Sequence, residues 1–153
     1  MPLELGVIGA GWSVRVRAAQ GQVTGSLRGQ TFAVGPPVQF DSASQSPSAL
    51  EAFLAAYGAD LLGGFARLAD GSRIPVDAAE IAVQGDLENP LVHVGVVGED
   101  GSPRLAWLRA TLFVHARAET ATLESLWQTT LTRSPLHQTL VRAVPIDARL
   151  QTR

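Results

Sequence analysis

The chain contains no cysteine, no lysine and few aromatic residues, 6% in all. Without cysteine there is no disulfide framework, no thiolate zinc or iron–sulfur site and no thiol nucleophile. All twelve basic residues are arginine, which removes Schiff-base catalysis and the lysine of a Walker-type phosphate loop. Charge is scarce as well, at 17%, and 12 basic against 14 acidic residues leave a net charge of −2. Such a balance gives no cationic field for nucleic acid, which is not expected as a partner. Long uninterrupted apolar runs are also missing. The most apolar stretch, residues 50–68, is broken by Glu51, Asp60 and Arg67, so no membrane span is expected. Residues 1–10 carry Glu4 where an export signal needs positive charge, and a soluble cytoplasmic protein is the expectation.

What is present is 153 residues, 46% of them hydrophobic, enough for one domain over 1–153 with a real core. Residues 13–18 (SVRVRA) alternate Val14 and Val16 with Arg15 and Arg17, which predicts a half-buried strand. Residues 23–38 hold short apolar runs punctuated by Gly25, Gly29, Gly35, Pro36 and Pro37, the mark of a hairpin or meander. The polar run 41–48 predicts a loop ending at a helix start, with Ser46 as N-cap and Pro47 first in the helix.

From there Leu50, Phe53, Leu54, Tyr57, Leu61, Phe65 and Leu68 recur at steps of three and four, one face of a long helix. Its other faces are mostly alanine and glycine, so it reads as a central helix packed on more than one side. Asp70-Gly71 should end it. A strand over 74–87 follows, with turns expected at Gly85-Asp86 and Asn89-Pro90. The apolar runs 91–97 and 105–116, joined by Gly98 to Pro103, read as two antiparallel strands. Thr122 can cap a second helix, with Glu124 in its first turn. Ser134-Pro135 restarts it as a third, and 145–150 alternates like a last strand. Strands, long helix, strands, helix pair and strand make an α+β order.

Few residues carry chemistry. Residues 7–12 (VIGAGW) suggest a dinucleotide fingerprint, but Val14 stands where a third glycine belongs and a strand pattern follows, so the glycines read as a turn. His93, His115 and His137 are far apart and form no ligand pair. No metal and no cofactor are expected. Asp60 lies about 80° from the centre of the apolar stripe, beside Phe53 and Gly64, with Arg67 two turns later on the same side. A carboxylate so placed needs a hydrogen-bond partner or a cation. Ser134 before Pro135 is, on local grounds, a helix cap.

The run Ala52 to Asp60 (AFLAAYGAD), Gly85-Asp86-Leu87 and the late segment Ser134 to Leu140 (SPLHQTL), with their spacings, resemble the OsmC/Ohr family of osmotically inducible and organic hydroperoxide resistance proteins. The resemblance covers the element order from Val14 onward. It implies curved antiparallel sheets around a long central helix, built as an intertwined homodimer. It also implies a peroxidatic cysteine in the central helix and a resolving one just before a helix-starting proline. Here those positions match Asp60 and Ser134, so their Cα atoms are expected roughly 5–6 Å apart. Neither a carboxylate nor a hydroxyl can attack a peroxide bond, form a sulfenic acid and condense with a thiol. The family's arginine has Arg15, Arg17 and Arg28 as candidates here. The family's glutamate has no counterpart, because Glu51 lies about 180° round the helix from Asp60.

Three functions compete on this basis. One is a stress-resistance relative without thiol peroxidase activity that binds a small, partly apolar molecule at the dimer interface, through Phe53, Tyr57, Asp60, Gly64 and Ser134, with His137 and Arg67 as neighbours. Another is a residual or altered enzyme, hydrolytic through Ser134 and His137 or peroxide-related. The last is a structural dimer in which Asp60 and Ser134 form a polar clasp.

Overall fold

Alternation and glycine placement build the first element group. The computed structural model describes residues 11–37 and 45–153. The N-terminal stretch 1–10, including most of the glycine turn, lies outside the described residues, as do Val38 and residues 41–44 of the expected loop. The chain divides between Leu50 and Glu51 into two compact units. In the first, β1 (Arg15–Ala19), β2 (Gln22–Leu27) and β3 (Gln30–Val34) form an antiparallel meander in the order β1-β2-β3. Each hairpin has a two-residue turn, Gln20-Gly21 and Arg28-Gly29, with positive φ at both positions. That left-handed pair matches the twist of the flanking strands and calls for glycine at the second site. Across β2 and β3 the Phe32 ring lies over Gly25 and fills the space a Cβ would take. β1 buries none of its residues, so the half-buried strand of the sequence reading is an exposed one, with Val16 61% exposed.

The second unit is organised by a helix with a period of four and a strand with a period of two. Helix α1 (Ala49–Gly71) buries Tyr57, Leu61, Phe65 and Ala69, four residues apart. Strand β5 (Leu105–Ala116) buries Leu108, Ala110, Leu112 and Val114, two apart. Apart from Ala69, these two rows form one core with Leu123 and Trp127 of α3 (Thr120–Arg133) and with Val144. Each fully buried large side chain contributes about 1.5–3 kcal/mol. Small residues set the approach of α1 to its neighbours: a Cβ on Gly58 would sit 3.1 Å from Val83 Cγ2, and one on Gly64 3.3 Å from Thr130 Cγ2.

β5 pairs antiparallel with β4 (Val76–Leu87) and parallel with β6 (Ile146–Thr152), so this sheet is mixed rather than wholly antiparallel. A parallel neighbour needs a long crossover, which α3 and α4 (Pro135–Leu140) supply.

Several local expectations are corrected. Pro47 does not open α1. The helix starts at Ala49, after Gly35 N–H has bonded Pro47 O at 2.8 Å and Ser48 has bridged Gly35. Asp70 and Gly71 belong to the last turn of α1, and the break comes at Arg73, whose φ is +56°. Gly85 and Asp86 lie inside β4, where a bulge follows Asp86. Residues 91–97 are not a strand. The Asn89 carboxamide accepts from Leu91 N–H and Pro90 starts a short helix, α2 (Pro90–His93), after which Gly95 and Gly98 adopt positive φ. α3 begins before Thr122 with Glu119 at its cap, so Glu124 lies beyond the first turn.

By length and composition alone α1 could cross a membrane, against the expectation from its charges. Its buried row nonetheless holds the core of the second unit, and its Asp60 side chain is bonded to Ser134.

Candidate functional site

Ser134 ends one helix and starts the next. Its N–H closes α3 on Thr130 O at 2.9 Å, and its hydroxyl accepts the His137 N–H at 2.9 Å to cap α4, with Pro135 in the first helical position. The Ser134 Oγ–H is thereby aimed away from α4, and it donates to Asp60 Oδ2 at 2.5 Å. The two positions matched to the family's cysteines are thus in direct contact. Ser134 is only 5% exposed, and its hydroxyl is satisfied on both sides.

Beneath this pair lies a second polar contact, also between α1 and α4. Tyr57 Oη and His137 Nδ1 share a hydrogen bond of 2.7 Å, with the rings nearly parallel. Burial, followed by the Asp60 charge, pushes the Tyr57 phenol up to about 12, and burial holds the His137 imidazole below its usual range. Both shifts favour the neutral form of the group, and the neutral phenol and neutral imidazole share one proton-bearing contact. Sequence placed Tyr57 among ligand contacts, but it is fully buried and held by His137.

The arrangement is not a Ser-His-Asp relay. A relay needs the serine hydroxyl to give its proton to the imidazole. Here the Ser134 hydroxyl donates its hydrogen bond to the carboxylate, its oxygen accepts from the main-chain N–H of His137, and the imidazole Nδ1 is bonded to Tyr57.

Beside the Asp60–Ser134 pair is a cavity of about 310 Å³, lined by Asp60, Gly64, Arg67, Leu68, Thr130, Arg133, Ser134 and Pro135. Of the residues singled out from sequence it brings together Asp60, Gly64, Arg67 and Ser134. Phe53 is half-buried and does not line it, and neither does His137. Arg133 and Thr130 were missed, although Arg133 directly precedes the cap serine. Arg15, Arg17 and Arg28 belong to the first unit. Among the described residues no three acidic or histidine side chains cluster as a metal site.

Neither a family model nor a curated protein matches this sequence. Solved structures do. An OsmC-like protein from Mycoplasma pneumoniae superposes with a TM-score of 0.78 at 14% identity, over 94% of this chain and 97% of that one. The organic hydroperoxide resistance protein OhrB of Bacillus subtilis gives 0.64 at 18%, over 91% and 96%. An organic hydroperoxide resistance protein of Vibrio cholerae, described with captopril bound in one of its active sites, gives 0.66 at 12%, over 94% of each chain. Identities this low report a shared fold.

Proposed function

We propose that this chain, which has the fold of the OsmC-like and organic hydroperoxide resistance proteins and no cysteine, is a stress-resistance relative that binds a small, partly apolar molecule instead of reducing peroxides. One observation carries the reading: the residues matched to the family's thiols are closed on each other, and a cavity opens beside them. A carboxylate and a hydroxyl so paired have no redox chemistry to offer a peroxide, but they form a fixed polar wall against Leu68 and Pro135. The V. cholerae structure, with captopril in an active site, gives a precedent for a small molecule on this fold.

The working form of the protein in this reading is a homodimer. Only 22% of the most apolar 18-residue stretch of α1 is buried, and a shallow groove of Leu54, Ala55, Gly58, Ala59, Ile81 and Val83 runs along it. A second copy covers that apolar face, as the resemblance implies.

The test is binding of small amphiphilic molecules to the full chain, followed by thermal shift and calorimetry, in the native protein and in Gly64→Val. A valine side chain at Gly64 presses on the Thr130 methyl and fills the cavity. Binding that disappears in Gly64→Val supports the reading. Binding that survives the substitution, or no binding by the native protein, overturns it.

A further inference from the structure

Charge in the cavity is unbalanced. Two guanidinium groups, Arg67 from α1 and Arg133 from the last turn of α3, line it with a single carboxylate, Asp60. Among the described residues neither guanidinium makes an ion pair or a hydrogen bond, whereas the Asp60 carboxylate already accepts from Ser134. Arginine presents a planar fork of donors that matches a carboxylate in a two-point contact.

Apart from the Ser134 hydroxyl, which is already bonded to Asp60, the rest of the lining presents apolar groups. Thr130 Oγ1 donates back to Leu126 O at 2.8 Å, which leaves its methyl toward Gly64, and Leu68 and Pro135 complete the wall. Two positive charges against one negative are neutralised by a ligand of one negative charge. A dianion leaves the site negative beside Asp60.

We infer that the cavity takes a small monocarboxylate with an apolar tail, its head held by Arg67 and Arg133 and its tail against Leu68, Pro135 and the Thr130 methyl. This rests on the reading of the cavity as a ligand site and adds the chemical class of the ligand.

The experiment is calorimetric titration of the full chain at pH 7.5 and about 50 mM salt with hexanoate, hexanamide and inorganic phosphate. Hexanoate binds about tenfold or more tightly than hexanamide, and phosphate more weakly than hexanoate. Arg67→Gln and Arg133→Gln each weaken hexanoate about fivefold or more and leave hexanamide unchanged. In the native protein, raising salt to about 0.5 M weakens hexanoate but not hexanamide, a readout that needs no variant to fold. Equal binding of hexanoate and hexanamide, or arginine variants that hold hexanoate as well as the native chain, overturns the carboxylate inference and leaves the cavity as a ligand site. Tighter binding of phosphate overturns the monocarboxylate class. Failure of both organic probes to bind overturns the inference and the ligand-site reading together.

Discussion

The Ser134 hydroxyl donates a hydrogen bond to the Asp60 carboxylate at 2.5 Å and, at the same oxygen, accepts one from the His137 main-chain N–H at 2.9 Å. The same hydroxyl thus makes a contact across 74 positions and caps a helix. This double use explains why a serine can stand where the fold's relatives are expected to carry a thiol. It also makes the site a structural element as well as a cavity wall.

Ser134→Ala removes the α4 cap and leaves the carboxylate without its donor, so it is expected to lower stability by about 1–3 kcal/mol. Asp60→Asn keeps an acceptor for the hydroxyl and is expected to cost less, about 1 kcal/mol or below. Urea denaturation of the two variants checks the order. A Ser134→Ala protein as stable as the native one contradicts it.

Direct contact between the two side chains predicts that Asp60→Cys with Ser134→Cys forms a disulfide. Bridging residues 74 apart is worth about 4 kcal/mol by loop-closure entropy. Thiol titration and denaturation with and without reductant measure both effects. Two free thiols in the oxidised protein would show that the pair is not placed to bridge.

The Tyr57–His137 contact sets a pH window for stability. Burial lowers the His137 pKa from 6.5, so the unfolded chain takes up a proton before the folded one does. That contribution is complete above pH 6.5 and is lost as pH falls toward the folded value. Tyr57 is raised from 10.0 to about 12, so its contribution is complete below pH 10 and is lost as pH rises from 10 to about 12. The denaturation midpoint should be flat from about pH 7 to 9 and fall on both sides. Tyr57→Phe removes the alkaline fall and strips His137 Nδ1 of its hydrogen-bond partner, costing about 1–3 kcal/mol. A midpoint that keeps rising below pH 6 contradicts the assignment.

Homodimer formation predicts a particle of about twice 16.1 kDa in sedimentation at micromolar concentration. A charge placed in the groove, as in Ala55→Glu, should shift it toward monomer, since desolvating an unpaired carboxylate is costly. A native particle of monomer mass removes the dimer.

The long helix was legible because its apolar spacing is set by one face entering the core, as Tyr57, Leu61 and Phe65 do in the cluster they share with β5 and α3. The α3–α4 break was legible because serine before proline is a local signal. Residues 91–97 misled because their apolar run carries no periodicity, and the Asn89 cap with Pro90 decided for a helix. The parallel pairing of β6 depends on where the crossover returns the chain, which alternation within 145–150 does not encode. In the site, Asp60 and Ser134 were reachable through the resemblance. The Tyr57–His137 bond and the arrival of Arg133 beside Arg67 were not, because they depend on how α1 meets α3 and α4 across 66 to 80 positions.

The central claim is that closing Asp60 on Ser134 leaves binding without peroxide chemistry. Consumption of an organic hydroperoxide such as cumene hydroperoxide, with a dithiol reductant and the purified full chain, tests it most directly. The predicted result is loss of peroxide at the rate of the buffer control, unchanged by Asp60→Asn or Ser134→Ala. Catalytic turnover at a rate comparable with a cysteine-containing protein of the same fold would contradict it.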